Sequence, residues 1–195
     1  MRRSKYVICP ICLVCLLTTP ARAQPPTYAA GFYNLSVQAA ATDVVCLENA
    51  GGFVTELWHM SLSGVGVAAG TINVSILMRA TPNVGGTFIA PPPTPLSSDF
   101  KPATAVMKAY TANPTTLGTL VGKVREGRWD ITTQGSNANP TGTLVLDPFY
   151  NPNVSRMVIK GSPGGIDYYA VCLSFNGGGP AASITGDMTW TEQRQ

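Results

Sequence analysis

Residues 71–77 read Thr71-Ile-Asn-Val-Ser-Ile-Leu77 and alternate apolar with polar side chains more cleanly than any other part of the chain. On an extended backbone, Ile72, Val74 and Ile76 fall on one side and the polar residues between them fall on the other. This alternation has the period of a β-strand with one buried face and one face in water. The stretch therefore predicts a strand that covers a hydrophobic core.

The same period of two residues recurs, less regularly, between clusters of Gly, Pro, Asn and Ser that favour turns. It predicts further strands at residues 32–37, 44–47, 53–62, 105–110, 120–125, 144–146, 157–160, 168–175 and 184–190. No stretch of helical length has the spacing of an amphipathic helix. About nine or ten short strands with frequent turns predict an all-β fold, an antiparallel β-sandwich of jelly-roll type.

Apolar residues of these strands are expected to lie between the two sheets. Each fully buried aliphatic side chain contributes roughly 1.5–3 kcal/mol before conformational entropy is subtracted. The predicted core includes Ile72, Val74, Ile76, Leu120, Val124, Val158 and Val171.

Two long connections interrupt the strands. Residues 90–101 contain four prolines. Because proline has no N–H for a central strand, this segment predicts a stiff crossing from one sheet to the other. Residues 134–143 are polar and turn-forming, and they predict an exposed tip.

The N-terminal segment, residues 1–23, has the layout of a secretory signal peptide. Basic residues at 2–5 precede an apolar run at 6–17 that is too short to span a bilayer, and the small-x-small step Ala21-Arg22-Ala23 follows. We expect a cleaved leader and an exported protein, periplasmic or extracellular; an apolar segment that is retained is the alternative. Residues 24–195 are then expected to form a single β-sandwich domain with no membrane span.

The charge of the chain is divided unevenly by this leader. The whole chain has 13 Lys plus Arg against 10 Asp plus Glu, and the leader holds four of the basic residues and none of the acidic ones. The domain thus keeps 9 basic residues against 10 acidic ones. A nearly neutral domain lacks the electrostatic footprint of nucleic-acid binding, so we expect no nucleic-acid partner.

The cysteines are divided in the same way. Cys9, Cys12 and Cys15 lie inside the apolar run of the leader, without polar neighbours that would support a metal, so no metal site is expected there. Cys46 and Cys172 each lie in a predicted strand of an exported chain. Their position predicts a disulfide, and two buried thiols in neighbouring strands are the alternative.

Residues that could carry catalysis form no recognisable motif. His59 is the single histidine and lies beside Trp58 in a predicted strand, and no Gly-x-Ser-x-Gly nucleophile elbow occurs. The glycine-rich residues 64–70 precede a strand instead of a helix, so they predict a hairpin or bulge, not a phosphate site. We therefore expect a protein that is not an enzyme and needs no cofactor.

Carbohydrate chemistry stays open as an alternative. Glycoside hydrolysis needs only two carboxylates. The candidates are Glu48, Glu56, Glu126 and Asp130. Trp58, Trp129 and Trp190 offer faces for stacking on sugar rings, although core packing is expected for at least two of the three.

Three stretches resemble segments that recur in small β-rich proteins of tailed phages and prophages. They are INVSILMRATPNVGGT at 72–87, KAYTANPTTLGTLVGKVR at 108–125 and MTWTE at 188–192. This resemblance implies a compact β-sandwich at the virion surface or associated with the tail, and it assigns no catalytic residue. Virion parts assemble in the cytoplasm, so the leader and the cysteine pair depart from this pattern and indicate an exported relative as the alternative.

These observations together predict a structural or attachment module, with an exported glycan-binding or small-ligand-binding β-sandwich as the alternative. The predicted binding surface follows a strand and consists of Trp129, Gln134, Ser136, Asn137 and Asn139. Its expected partner is a protein or glycan surface. Because sandwich edges and flat apolar faces favour association, the chain is also expected to form a homo-oligomer, for instance a trimer, or to join a virion assembly.

Cleavage of the leader has a direct test. If the leader is cleaved, the soluble periplasmic or medium fraction contains a chain that begins at Gln24. N-terminal peptide mapping of the native protein, run separately on soluble and particle fractions, measures this. A chain that keeps Met1 and sediments with phage-like particles would contradict export and favour a virion component.

Overall fold

The computed structural model describes residues 25–37, 40–49, 51–96, 101–133, 144–145, 157–161, 169–177 and 179–194. The strands in these ranges are β1 (Thr27–Val37), β2 (Ala41–Asn49), β3 (Phe53–Gly66), β4 (Gly70–Arg79), β5 (Thr87–Ile89), β6 (Thr94–Pro95), β7 (Ala105–Ala112), β8 (Leu120–Ile131), β9 (Leu144–Val145), β10 (Met157–Ile159), β11 (Ala170–Asn176) and β12 (Ala182–Arg194). Within these ranges the chain forms no helix, hence none that could cross a membrane.

The strands form two antiparallel sheets that pack face to face. Sheet 1 has the order β10-β3-β12-β1-β6, and β9 also pairs with β3. Sheet 2 has the order β5-β7-β2-β11-β4-β8. The predicted all-β sandwich is confirmed, whereas its jelly-roll type stays a prediction.

The proline-rich connection joins the edges of the two sheets. It leaves β5 at one edge of sheet 2 and forms β6 at one edge of sheet 1, where Thr94 and Pro95 pair with Ala29 and Tyr28. An edge strand tolerates proline because one side of its backbone has no ladder partner. The predicted crossing between sheets is therefore confirmed for residues 90–95, and the sequence pattern missed the short strands β5 before it and β6 within it.

The core is built from inward-facing residues of both sheets. β4 contributes Ile72, Val74 and Ile76, and β11 contributes Val171, all as predicted. Sheet 1 faces them with buried side chains that include Leu57, Met60, Leu62, Ile184, Met188 and Trp190. The alternation of residues 71–77 thus identified a strand whose inner face lies in the centre of the sandwich.

Two predicted core residues of β8 are exposed instead. Leu120 is 49% exposed and Val124 is 46% exposed, and Val158 of β10 is only half-buried. β8 is an edge strand, and its pairing with β4 skips Val121 and Val124, which are the extra residues of two β-bulges. In β8 only Trp129 and Ile131, near the C-terminal end, reach the core. The prediction that Leu120 and Val124 are core residues is wrong. Alternation of apolar and polar residues predicts a strand but does not show whether that strand lies at the edge of its sheet.

Glu192 of β12 joins the two sheets at one end of the sandwich. Its side chain is 2% exposed. Its carboxylate accepts hydrogen bonds from the backbone N–H groups of Thr104 (2.9 Å) and Ala105 (2.9 Å), from the Thr104 hydroxyl (2.7 Å) and from the Trp190 indole (3.0 Å). Thr104 and Ala105 lie where β7 of sheet 2 begins, so this buried anion holds β7 against β12.

Asn49 forms a second buried link at the same end, since it pairs with Ala105 across β2 and β7. Its side-chain amide donates to the carbonyls of Phe53 in β3 (2.7 Å) and Ile159 in β10 (3.2 Å). Gly161 has φ +38°, and a Cβ there would lie 2.1 Å from the Asn49 carbonyl oxygen, so only glycine fits. We call Asn49, Thr104, Ala105 and Glu192 the polar corner.

Removal of the Glu192 carboxylate tests the polar corner. Glu192→Ala leaves buried N–H donors without an acceptor, and we expect the free energy of unfolding to fall by about 2–4 kcal/mol. Glu126→Ala removes an exposed carboxylate and is the matched control, with a much smaller expected loss than Glu192→Ala. Urea denaturation measures both variants. Equal unfolding midpoints for the two would contradict the role of Glu192.

Candidate functional site

The disulfide lies on the outer face of sheet 2. Cys46 in β2 and Cys172 in β11 are directly opposite each other, with Cα atoms 4.0 Å apart, and their sulfurs are bonded. Both are buried beside Tyr110 and Tyr169, in a cluster separate from the main core. The predicted disulfide is confirmed, and it crosslinks two central strands of the sheet.

A buried ion pair lies next to the disulfide. The Arg79 guanidinium donates to both carboxylate oxygens of Asp43, at 3.0 and 2.8 Å, and to the Gly118 carbonyl at 2.9 Å. The Asn83 amide donates to Asp43 at 2.9 Å, and its oxygen accepts the Gly118 N–H at 2.7 Å. Such bidentate, charge-assisted bonds are among the stronger ones in proteins. They fix the β4–β5 and β7–β8 connections over the outer face of sheet 2.

Glu48 is the second buried carboxylate of this face. It pairs with the Lys108 ammonium at 2.7 Å and accepts a hydrogen bond from the Tyr169 hydroxyl at 3.2 Å. Burial, and then the charge of Glu48, raises the pKa of Tyr169 to about 12. Burial and the same charge raise the pKa of Tyr110 to about 12, against a smaller opposing effect of the neighbouring Asn83 amide. This cluster is closed to solvent, so it supports the fold.

The cluster also contains a grouping of atoms with the chemistry of metal ligands. Ligand atoms of Asp43, Cys46 and Cys172 lie within 4.8 Å of one another. The two sulfurs are bonded to each other, however, and the carboxylate is held by Arg79. The oxidised protein therefore offers no thiolate here for a cation.

An open groove lies at the other end of the same outer face. It has a volume of about 440 Å³ and is lined by Asn73, Glu126, Gly127, Arg128 and Asn176. These residues come from β4, β8 and β11, which are neighbours in sheet 2. At its edge, the Asn176 amide donates to the Ser75 hydroxyl at 2.9 Å. We call this surface the polar groove.

Both signs of charge line β8 along the polar groove. The Lys123 ammonium lies against Glu126, and its hydrogen bond and charge lower the pKa of this carboxyl group. A hydrogen bond from Thr71, and then one from Arg128, lowers the pKa of Asp130. Both carboxylates are therefore ionised at neutral pH, and the groove offers hydrogen-bond donors and acceptors side by side.

A second exposed polar surface lies on the outer face of sheet 1. The Ser61 hydroxyl donates to one carboxylate oxygen of Asp187, and the His59 Nε2 lies 3.7 Å from the other. In a serine-hydrolase triad the histidine lies between the serine and the carboxylate. Here Asp187 lies between them, and this order does not activate the serine. Sequence patterns did not predict this cluster, because Ser61 and Asp187 are 126 residues apart in the chain.

The structure separates the carboxylates considered for glycoside hydrolysis. Glu48 faces the closed cluster and Glu56 lies in β3 of sheet 1. Glu126 and Asp130 alone share a strand, β8, where both are exposed.

The predicted binding surface is only partly within the described residues. Trp129 is 3% exposed and packs in the core, so its assignment to a binding surface is corrected: its indole faces inward from β8. Gln134, Ser136, Asn137 and Asn139 lie outside the described residues. Trp190 is also buried, which confirms core packing for two of the three tryptophans.

Comparison with known proteins gives no relative: no family model, curated protein or solved structure matches the chain. The resemblance to phage and prophage proteins therefore stays a prediction. The chemistry of the exposed surfaces is the basis for assigning a function.

The two buried tyrosines predict a pH dependence. Their pKa values are raised from 10.0 to about 12 in the folded protein. The tyrosine hydroxyls therefore lose their protons at lower pH in the unfolded chain than in the folded protein. This contribution to stability is complete below about pH 10 and disappears as the pH rises through about 12. In a titration with base, the ultraviolet absorbance of tyrosinate should show a late component, which appears at higher pH than that of the other tyrosines. This component should be missing in a Tyr110→Phe, Tyr169→Phe double variant. A wild-type titration without that late component would contradict the burial of these hydroxyls.

Proposed function

We propose that this protein is a non-enzymatic attachment module that holds a partner protein on the β8 side of sheet 2. The observation that carries the proposal is the combination, on one edge strand, of the polar groove with exposed aliphatic side chains. These side chains are Leu117, which precedes β8, and Leu120, Val121 and Val124 within it. We call the polar groove together with these four residues the β8 face.

The composition of the β8 face supports a protein partner. Interfaces between proteins combine exposed apolar groups with arginine and with a polar rim. The β8 face has aliphatic side chains toward one end and Arg128 with Asp130 toward the other. Lys123 and Glu126 lie between them, so a partner with complementary charges would bind in one orientation.

The support beneath the β8 face favours binding without rearrangement. β4, which pairs along the length of β8, ends at Arg79, and this residue is fixed by Asp43. β11, on the other side of β4, is crosslinked to β2 through Cys172. A surface that is already ordered loses little conformational entropy on binding.

The proposed role agrees with the role that the phage-protein resemblance implies. A partner on a virion or on a cell envelope would place the module at the surface of that particle or cell. The leader favours export, so an exported protein attached to an envelope partner is the form we propose. An edge strand also pairs with a second copy of the same chain in many proteins, and this occupant is distinguished by the experiment below.

A photo-crosslinking residue at Val121 tests the β8 face in the organism that makes the protein. Val67, 78% exposed between β3 and β4, is the matched control position. We expect adducts with one other protein from Val121 and not from Val67. Arg128→Glu in the same chain should reduce these adducts several-fold, whereas Lys101→Glu, the same charge change at another exposed site, should not.

Two outcomes would contradict this proposal. Equal adducts from Val121 and Val67 would show that contact with the β8 face is unspecific. Adducts formed only with the chain itself would show that a second copy occupies the face, and light scattering at micromolar concentration would then give the mass of an oligomer.

A further inference from the structure

The outer face of sheet 1 carries a second exposed surface that the proposed attachment through β8 does not use. It consists of Trp58, His59, Ser61, Asp187 and Thr191, and we call it the Trp58 face. Its strands, β3 and β12, are neighbours in the centre of sheet 1. From these residues we propose that the Trp58 face binds a neutral saccharide, with one sugar ring stacked on the indole.

A β-bulge exposes the indole. In the pairing of β3 with β12, Leu57 is opposite Trp190 and His59 is opposite Thr189, so Trp58 is the extra residue. Bulges redirect side chains and are frequent at functional positions. Trp58 is 37% exposed, whereas Trp129 and Trp190 are buried.

The orientation of this indole is fixed. Its Nε1–H donates to the Thr191 hydroxyl at 2.9 Å, and Thr191 itself is buried. Because Trp58 is 37% exposed, part of this fixed indole forms an aromatic surface that a ligand can reach. A sugar ring has an apolar C–H face that stacks on such a surface, with hydroxyl groups at the rim.

The neighbouring polar groups suit those hydroxyls. The Oδ1 atom of Asp187 accepts a hydrogen bond from the Ser61 hydroxyl, and its Oδ2 atom lies near the His59 imidazole. A carboxylate has about four lone-pair positions, so Asp187 keeps capacity to accept sugar O–H groups. About 37% of the His59 side chain and 45% of the Asp187 side chain are accessible to solvent. A carboxylate at this position repels anionic ligands, which favours a neutral saccharide.

A protein partner fits the Trp58 face less well. Next to the indole, the outward positions of β3 and β12 carry Glu56, His59, Thr189 and Thr191. The centre of a protein interface is enriched in aromatic and aliphatic groups. A single fixed indole surrounded by hydroxyls, a carboxylate and an imidazole is closer to a saccharide subsite.

Tryptophan fluorescence of the full exported chain tests this proposal, because Trp58 is the one tryptophan that is not buried. The probes are chitotriose, cellotriose, maltotriose and mannotriose, each titrated to millimolar concentration, together with a glycan array. We expect at least one saccharide to change the emission. Trp58→Ala should weaken its binding, measured by calorimetry, by about tenfold or more, which corresponds to about 1.4 kcal/mol. Trp58→Phe, which keeps an aromatic face, should lose less.

Matched variants separate the saccharide site from a general effect on folding. Asp187→Asn keeps the shape of the side chain and should weaken binding several-fold. Tyr33→Ala removes an aromatic ring of β1 that is 81% exposed on the same sheet, and it should leave the affinity unchanged. Arg128→Glu, which tests the β8 face, should also leave it unchanged, so the two proposals fail or succeed independently.

Three results would overturn the saccharide proposal. The first is no emission change with any of the four probes and no hit on the array. The second is equal affinity for wild type and Trp58→Ala. The third is retention of saccharide binding in folded Asp187→Asn and Trp58→Ala chains alongside loss of a protein partner, which would make the Trp58 face a protein interface.

Discussion

The polar corner is the constraint on which the arrangement of the two sheets depends. Hydrophobic packing between the sheets is strong but has no direction, so it would tolerate small shifts of one sheet over the other. The hydrogen bonds of Glu192 and Asn49 do have a direction. Both side chains are buried, and each bonds to backbone groups of the opposite sheet. A shift of the sheets would leave these groups without partners in a region of low dielectric. The corner therefore selects one packing among several of similar hydrophobic energy.

The outer face of sheet 2 carries polar contacts that hold its connecting loops in place. At one end, the Arg79–Asp43 pair and the disulfide lie beneath two connections that Asn83 and Gly118 hold together. These connections belong to the segments 72–87 and 108–125, on which the resemblance to phage proteins depends. Two of the three segments behind the predicted resemblance therefore include connections that lie next to the β8 face.

Sequence alone predicted the elements of this fold well, because strand alternation is a local property. The strand containing Ile72 and the Cys46–Cys172 disulfide were both found in this way, the second with help from the expected compartment. Features that depend on which strands are neighbours in a sheet were not predicted. Leu120 and Val124 are exposed because β8 is an edge, and the Ser61–Asp187 contact joins distant segments. Edge position and cross-strand register appear only once the sheet order is known.

The bulges connect the two exposed surfaces with the fold. A bulge gives up regular ladder pairing at one residue. Among the described residues, bulged positions with exposed apolar side chains include Tyr33 in β1, Trp58 in β3, and Val121 and Val124 in β8. Neither the inter-sheet core nor the disulfide cluster includes these side chains. Exposing an apolar group and interrupting the ladder both oppose stability. Exposed apolar side chains at such interruptions are suited to contacts outside the domain, as proposed for the β8 face and the Trp58 face. If both proposed contacts are made, the module joins two other molecules through two different sheets.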